Sequence, residues 1–169
     1  MPAASDILKN FNLFVDGVGF AGNAEEVQLP ALNIIEEDFR AGGMDSPIGL
    51  DMGIEKLETS FKIAGFSSVV LKQFGLAEGA ETQLTARGSL ESLDGTKTPV
   101  VVQMRGKVKS AEPDAWQGGQ KSGWSFTVSL RYYSYTQNGE AIHEIDVLNM
   151  KRVINGVDQL AQHRSNIGL

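Results

Sequence analysis

The sequence predicts a mainly β protein, an antiparallel β-sandwich or barrel with one or two short helices and one long loop. Several runs of strand length alternate aromatic or β-branched residues with polar ones. Two dipeptides that favour tight hairpin turns, Asp16-Gly17 and Asn138-Gly139, join runs of this kind. With 169 residues, the chain has the size of one domain around one core, so we expect a single domain over residues 1–169.

The first half of the chain contains three extended segments. The segment "NLFVDGVGFAG" turns at Asp16-Gly17. The segment "VQLPALNIIEEDF" is broken at Pro30, which cannot donate to a strand ladder, so we expect a sheet edge there. In "LETSFKIAG", four residues alternate with polar ones and should face the core: Leu57, Thr59, Phe61 and Ile63.

Two short helices are expected. In "SSVVLKQFG", Ser67 is a candidate N-cap, Gly75 a candidate end, and the shared face is Val70, Leu71 and Phe74. In "VDQLAQHRS", helical spacing links Val157, Leu160, Ala161 and Arg164. The apolar tail "NIGL" follows, so we expect a C-terminal helix and tail over residues 157–169.

The middle of the chain contributes two further strands. The segment "TQLTARGSLESL" is polar on both sides with Gly88 at its centre, so its strand signal is weak. The segment "TPVVVQMRGKVKS" has a clear apolar side, made of Val100, Val102, Met104 and Val108.

The clearest hairpin is "GWSFTVSLRYYSYTQNGEAIHEIDVLNM", which turns at Asn138-Gly139. Counting outward from the turn gives these pairs: Gln137 with Glu140, Thr136 with Ala141, Ser134 with His143, Tyr132 with Ile145, Arg131 with Asp146, and Leu130 with Val147. The expected buried face is Trp124, Phe126, Val128, Leu130, Tyr132, Ile145 and Val147.

Composition and motifs argue against several functions. The formal net charge of −6 disfavours a protein that grips nucleic acid through clustered Lys and Arg. The chain has no cysteine, which excludes disulfides and thiolate metal sites. It also lacks a nucleophile elbow, a P-loop, a dinucleotide fingerprint and a paired-histidine metal motif. We expect no enzyme activity, no cofactor, no metal, no signal peptide and no membrane insertion.

The long loop is the segment "DFRAGGMDSPIGLDMG", which shows neither a helical nor a strand period over its whole length. Loops this long inside a compact domain are usually functional or disordered. This one retains five apolar side chains that need cover: Phe39, Met44, Ile48, Leu50 and Met52. Together with the Pro30 edge and the "NIGL" tail, it predicts contacts between subunits. Such contacts give a ring if they close by rotation, and a tube if rings stack head to tail.

Four segments in order, "NLFVDGVGFAG", "LPAL", "FRAGGMDSPIGLDMG" and "INGVDQLAQHRSNIGL", resemble the major tail tube protein of contractile-tailed bacteriophages and R-type pyocins. The segment "DAWQGGQKSGW" and the aromatic hairpin lie between them as in that family. The resemblance implies a β-sandwich-like subunit, six of which form a ring whose inner strands join into one β-barrel. It further implies that rings stack into an inner tube driven through a cell envelope by a contracting sheath.

Carried onto this chain, the resemblance implies an extended assembly loop over residues 38–56 that reaches a neighbouring subunit or ring. Its expected contact residues are Phe39, Arg40, Gly42, Gly43, Met44, Asp45, Pro47, Ile48, Leu50 and Met52. An N-terminal arm over residues 1–13 and the C-terminal tail would make further contacts. Those residues are Ile7, Leu8, Phe11, Leu13, Ile167 and Leu169.

The partners implied are other copies of the chain, a sheath protein, a baseplate or tube initiator, and a tape-measure protein. The expected location is the tail of a virion or pyocin particle, assembled in the bacterial host cytoplasm. In a phage, DNA would pass through the lumen without specific binding. Six copies at −6 each sum to −36 per ring, and an acidic lumen would not hold a polyanion. Two alternatives stay open: a ring-forming type VI secretion tube protein, and a monomeric ligand-binding β-domain that uses its tyrosines.

Overall fold

The computed structural model describes residues 3–169 and is mainly antiparallel β, as the sequence predicts. The strands are β1 (Ile7–Val15), β2 (Val18–Gly19), β3 (Ala24–Gln28), β4 (Ile34–Phe39), β5 (Ile48–Ile54), β6 (Glu58–Ala64), β7 (Thr82–Glu91), β8 (Lys97–Pro113), β9 (Gly123–Gln137), β10 (Glu140–Asp146), β11 (Lys151–Ile154) and β12 (Val157–Asp158). The two short helices are α1 (Ser68–Leu71) and α2 (Ala161–Asn166).

The long strands β8 and β9 pair along their length and organise two branches of one sheet. The first branch runs in the order β12-β11-β10-β9-β8-β7-β1-β2 and uses the second half of β9. The second branch runs β3-β6-β9-β8 and uses the first half of β9, which pairs with β6. Strands β4 and β5 form a separate two-stranded sheet.

One apolar core lies between the two branches. Strand β6 buries the face that its alternation predicts, made of Thr59, Phe61 and Ile63. Leu57, which directly precedes the strand, is buried on the same side. Val100, Val102, Met104 and Val108 of β8 are buried too. The rings of Phe61 and Phe126 stack with centroids 5.1 Å apart and join β6 to β9 at the centre of this core.

The aromatic hairpin, formed by β9 and β10, has the predicted turn but a different strand register. Asn138 and Gly139 have φ values of 52° and 78°, and the first two pairs form as expected. One extra residue in β10, Ile142, then shifts the ladder, so that His143 pairs with Tyr135. The pairings expected for Ser134, Tyr132, Arg131 and Leu130 across this hairpin are therefore wrong: Ile145 pairs with Tyr133 and Asp146 with Tyr132.

A second bulge corrects the predicted buried face. Arg131 is an extra residue in β9, because Arg105 of β8 pairs with Tyr132 and Gly106 with Leu130. The bulge reverses the alternation, so Tyr133 is buried and Tyr132 lies on the outer face beneath the guanidinium of Arg105. Val147 is 53% exposed and does not join the core.

The fold resolves the remaining predictions for the strands and the two helices. The segment with the weak strand signal is the central strand β7, paired with both β1 and β8. The Pro30 break is confirmed, since β3 ends at Gln28 and β4 begins at Ile34. Ser67 occupies the N-cap position of α1 as predicted, although its side chain makes no capping hydrogen bond. The helix ends at Leu71 and not at Gly75, so Phe74 lies outside it and is exposed, which corrects both of those expectations. Val157 lies in β12 rather than in the C-terminal helix, which begins at Ala161.

Candidate assembly surfaces

The segment expected as a long irregular loop is largely a β-hairpin. Strands β4 and β5 pair from Phe39–Ile48 down to Ile34–Ile54, and only residues 40–47 are irregular. The signal for β5 is present in the sequence, because Ile48, Leu50 and Met52 occupy every second position. The glycines and the proline around these residues concealed that alternation.

The hairpin has one apolar face and one acidic face. Cross-strand pairing places Phe39 beside Ile48 and Glu37 beside Leu50 on one face, and Glu36 beside Asp51 on the other. The large side chains of the apolar face are all strongly exposed: Ile35 45%, Phe39 49%, Ile48 49%, Leu50 41% and Met52 58%. In the part of the chain that the structure describes, no other strand pairs with β4 or β5.

The tip of the hairpin is folded on itself. The Arg40 Nε donates to the Met44 carbonyl at 3.1 Å, and the Met44 amide donates to the Ala41 carbonyl at 3.2 Å. Gly43 has φ +88°, which favours glycine at this turn. The predicted contact residues Gly42, Asp45 and Pro47 lie in the same irregular tip, so the structure brings them together at the end of the hairpin.

The base of the hairpin is tied to strand β11. Arg152 Nη2 lies 2.9 Å from Asp51 Oδ2, while Asp51 Oδ1 accepts the Gly53 amide at 2.9 Å. The Gly53 amide first and the Arg152 guanidinium second lower the pKa of Asp51. Asn33 and Glu55 add a hydrogen bond of 3.0 Å between the two chain segments that enter and leave the hairpin. The sequence analysis did not single out Arg152, whose partner is 101 positions away.

The N-terminal contact residues separate into two groups. Residues 1 and 2 of the predicted arm lie outside the described residues, and Ile7 onward belongs to strand β1 of the main sheet. Leu13 is fully buried in the core of its own subunit, which corrects its place among the expected surface contacts. Ile7, Leu8 and Phe11 are 48%, 55% and 38% exposed and remain available to a neighbour.

An apolar groove of about 240 Å³ lies beside the exposed part of β1. Leu8 and Phe11 line it together with Leu29, Val27 and Gly88. A Cβ atom at Gly88 would lie 2.9 Å from the Cδ1 of Leu8, so the absence of a side chain at this position gives Leu8 room to pack across β7. Leu29, 36% exposed, is a candidate contact that the sequence analysis missed.

The C-terminal tail is anchored through α2 and ends in exposed apolar residues. Arg164 holds the helix by donating to the Met150 carbonyl at 2.8 Å and pairing with Asp158 at 2.6 Å. Ile167 and Leu169 are 64% and 78% exposed. The tail therefore presents both predicted side chains to solvent in the single subunit.

The described residues contain no cluster of three or more His, Asp or Glu side chains placed to hold a metal ion. Across residues 3–169, the two helices are too short to cross a membrane.

A family model for phage tail tube protein FII matches residues 5–168, which is nearly the whole chain. The chain belongs to this tail tube family. It is a structural protein of the inner tail tube, and its place is the virion tail. Membership favours this role over the type VI secretion tube and the ligand-binding domain.

Curated relatives agree with the family. The chain is 33% identical over 166 residues to the tail tube protein of Escherichia phage P2, with 96% of both chains covered. It is 28% identical over 144 residues to the major tail tube protein of Serratia phage KSP20, covering 84% of this chain and 83% of that one.

A solved structure shares the fold. It is a sheath-tube complex of the extracellular contractile injection system PVC in its extended state, with a TM-score of 0.58 at 10% identity. The match covers 75% of this chain and 88% of that one.

Proposed function

We propose that six copies of this chain form a ring, and that rings stack into the hollow inner tube of a contractile tail. A sheath surrounds the tube and drives it through the target envelope, and in a phage the genome leaves through the lumen. A baseplate or initiator protein starts the tube and a tape-measure protein sets its length. The structural neighbour belongs to a complex of sheath and tube, which supports a sheath protein as a partner. The role is structural throughout, with no catalysis, cofactor or membrane insertion of the subunit.

The observation that carries this proposal is the bare apolar face of the β4–β5 hairpin. A two-stranded sheet is at best marginally stable in water, because it has no second layer to cover its apolar side. Here five large apolar side chains of one face are 41–58% exposed. A neighbouring subunit or ring supplies the missing layer, and burial of this face on assembly contributes roughly 25 cal/mol for each Å² removed from water.

Free strand edges support closure of a ring. Within residues 3–169, β3 pairs only with β6, and residues 107–113 of β8 form a strand ladder only with β9. The four-stranded branch β3-β6-β9-β8 therefore has an unpaired edge at β3, and its β8 edge is unpaired apart from one isolated bridge between Val108 and Phe74. Exposed edges of this kind favour pairing with another chain. Pairing β3 of one copy with the free part of β8 of the next is a heterologous contact that closes by rotation into a continuous barrel.

The exposed terminal residues support further contacts. Ile7, Leu8 and Phe11 lie next to the apolar groove, and Ile167 and Leu169 extend from α2. In the tube these side chains pack against neighbouring copies. Because these side chains are 38–78% exposed in the single subunit, their burial in the tube adds to the free energy of assembly.

Removal of Gly42–Pro47 from the hairpin tip tests the proposal. The purified wild-type chain should form six-membered rings or hollow tubes in negative-stain electron microscopy, with hexamers in native mass spectrometry. The deletion should remain a folded subunit and fail to form tubes, because the tip makes its hydrogen bonds within itself. A matched control removes the exposed turn 117–120 between β8 and β9 and should leave tube formation intact.

Two results would contradict the proposal. Normal tubes from the tip deletion would show that the hairpin is not an assembly element. An unfolded deletion variant would show that the tip belongs to the subunit core.

A further inference from the structure

An exposed phenylalanine lies at the free edge of β8. Phe74 follows helix α1 and forms an isolated parallel bridge with Val108 of that strand. Val108 is buried, whereas the side chain of Phe74 is 53% exposed. Phe74 therefore carries an aromatic ring at this edge that the core of its own subunit does not cover.

The opposite edge of the branch β3-β6-β9-β8 borders the apolar groove of about 240 Å³ beside β1, here called the β1 groove. Val27 of β3 and Leu29, just after that strand, line it on one side, and Leu8 and Phe11 of β1 line it on the other. An apolar cavity of roughly 150 Å³ is large enough to stay dry and bind benzene. The β1 groove therefore has room for one phenyl side chain.

Cross-strand pairing places Phe74 and the mouth of the β1 groove at the same height on the subunit. The row of paired residues beside Phe74 runs across the branch through Val108, Val128 and Thr59. In the adjacent row, Ser60 pairs with Gln28 of β3. Because β3 and β6 are antiparallel, Leu29 follows Gln28 in the direction that leads from Ser60 to Thr59. Leu29 thus lies level with the row of Phe74.

The free edges of β3 and β8 match in direction and length. Three antiparallel pairings separate the two strands, so they run in opposite directions and would form a further antiparallel pair between copies. Strand β3 has five residues, and β8 offers residues 109–113 beyond the bridge at Val108. Rotation about a ring axis moves one copy to the next without displacement along that axis. Phe74 of one copy thus arrives beside Leu29 of the next and need not leave its place on β8.

Charges on the two sides of this seam are complementary. Glu25 and Glu26 line the β1 groove. The basic residue that lines it, Arg87, has its guanidinium over an aromatic ring of its own subunit. Lys72, two residues before Phe74, is exposed and makes no ion pair within residues 3–169. An ammonium group therefore accompanies the ring of Phe74 toward a groove with two carboxylates at its wall.

We propose that Phe74 of one copy inserts into the β1 groove of the next copy and fixes the register of the seam between them. The proposal rests on the proposed function, because ring closure is what brings the two edges together. Backbone pairing at an edge specifies register weakly when few side chains distinguish one alignment from another. A ring seated in a groove fits at one alignment, so it selects that register.

A double-mutant cycle across the seam tests this inference. Phe74→Ala and Leu29→Ala are made separately and together, and native mass spectrometry measures the protein concentration at which half of the chains are in hexamers. Phe74→Ala should raise this concentration about tenfold or more, because truncation of a buried aromatic anchor weakens an interface strongly. The double variant should need about the same concentration as Phe74→Ala alone, because the groove wall contributes little once the ring is gone. If Phe74→Ala forms no rings, Phe74→Leu takes its place in the cycle.

The matched control is Phe66→Ala. Phe66 is 50% exposed and lies beyond the end of β6, where its ring packs edge-on against Trp116 with centroids 5.8 Å apart. Its effect on ring formation, whatever its size, should multiply with that of Leu29→Ala, as expected for separate sites. Chemical denaturation of the unassembled subunits should give the same midpoint for Phe74→Ala as for wild type.

Crosslinking measures the same contact without relying on affinity. The chain has no cysteine, so a variant with Phe74→Cys and Leu29→Cys has thiols only at these two positions. A short bifunctional maleimide should join its rings into covalent chains of up to six copies on a denaturing gel, whereas each single variant should give pairs at most. Rings of the double cysteine variant that yield no species beyond pairs, or fully multiplicative effects of Phe74→Ala and Leu29→Ala, would overturn the inference. A wild-type chain that forms no rings would instead refute the proposed function.

Discussion

The hairpins β9–β10 and β4–β5 use similar side chains in opposite environments. In β9, Phe126 and Tyr133 are 2% and 3% exposed. In the β4–β5 hairpin, Phe39 and Met52 are 49% and 58% exposed. Strand β9 has neighbours on both sides and a core against one face, whereas β4 and β5 pair only with each other in the described part of the chain. Alternation therefore determines which face of a hairpin is apolar, and the second layer determines whether that face is covered.

This difference in burial means that the β9–β10 hairpin stabilises the single subunit, whereas the β4–β5 hairpin stabilises the assembled tube. Burial of β9 stabilises the folded chain whether or not a neighbour is present. The apolar face of β4–β5 gains free energy only when another copy covers it. Substitutions in the two hairpins should therefore separate subunit stability from assembly.

The largest expected effect comes from truncating equivalent aromatic residues in the two hairpins. Phe126→Ala removes a ring that stacks on Phe61 at 5.1 Å, and should lower the free energy of unfolding by about 3–5 kcal/mol. Phe39→Ala should change it by no more than about 0.5 kcal/mol, as exposed substitutions usually do. Chemical denaturation of the unassembled subunit measures both values.

Electron microscopy of the same two variants completes the test. Phe39→Ala should form tubes poorly although its subunit is stable. A loss of stability of similar size in both variants would mean that the β4–β5 hairpin is part of the subunit core.

A smaller effect on the free energy of unfolding is expected from Tyr133 of the buried hairpin at alkaline pH. Burial raises the pKa of Tyr133 to about 12 from its ordinary value of 10.0. The unfolded chain then loses this proton first, so stability is unaffected below pH 10.0 and falls as pH rises from there to about 12. The loss from this group amounts to about 2–3 kcal/mol. Denaturation at several alkaline pH values measures it, and Tyr133→Phe should remove this part of the pH dependence; an identical pH dependence in both proteins would contradict the assignment.

The smallest expected effect on stability comes from the C-terminal tail, a second uncovered apolar surface. Replacing Ile167 and Leu169 with serine should change the unfolding free energy by less than about 0.5 kcal/mol for each site. Tube formation should nevertheless require a higher protein concentration, because the two side chains are 64% and 78% exposed in the free subunit. Leu13→Ala is the informative contrast: this residue is buried in the core, and truncation should cost about 2–5 kcal/mol. Equal losses of stability from the tail and from Leu13 would place the tail in the subunit core.

The sequence predicts those features that depend on local chemistry. Asn138-Gly139 forms the expected turn because both positions need positive φ, and the core faces of β6 and β8 follow from strict alternation. The prediction fails after the bulges at Ile142 and Arg131, where one extra residue turns the next side chains to the other face. Neither bulge has a residue pattern that marks it, so Tyr132 was expected in place of Tyr133.

The sequence predicts which apolar residues form the candidate assembly surfaces, but it does not predict how those residues are arranged in space. The apolar residues from Phe39 to Met52 indicate an uncovered surface, but their arrangement as a hairpin depends on pairing across an eight-residue connection (40–47) without a short turn signal. The Arg152–Asp51 ion pair and the Lys109–Glu58 ion pair each join residues far apart in sequence. Such contacts depend on sheet topology, which local patterns do not specify.

The central claim is that tube assembly buries the apolar face of the β4–β5 hairpin. Oxidative footprinting with mass spectrometry measures it directly by comparing side-chain reactivity in free subunits and in assembled tubes. The account predicts that Phe39 and Met52 react readily in the subunit and become strongly protected in the tube. Met104, 1% exposed in the subunit, should be protected in both and serves as the internal control. Unchanged oxidation of Phe39 and Met52 in well-formed tubes would contradict the account.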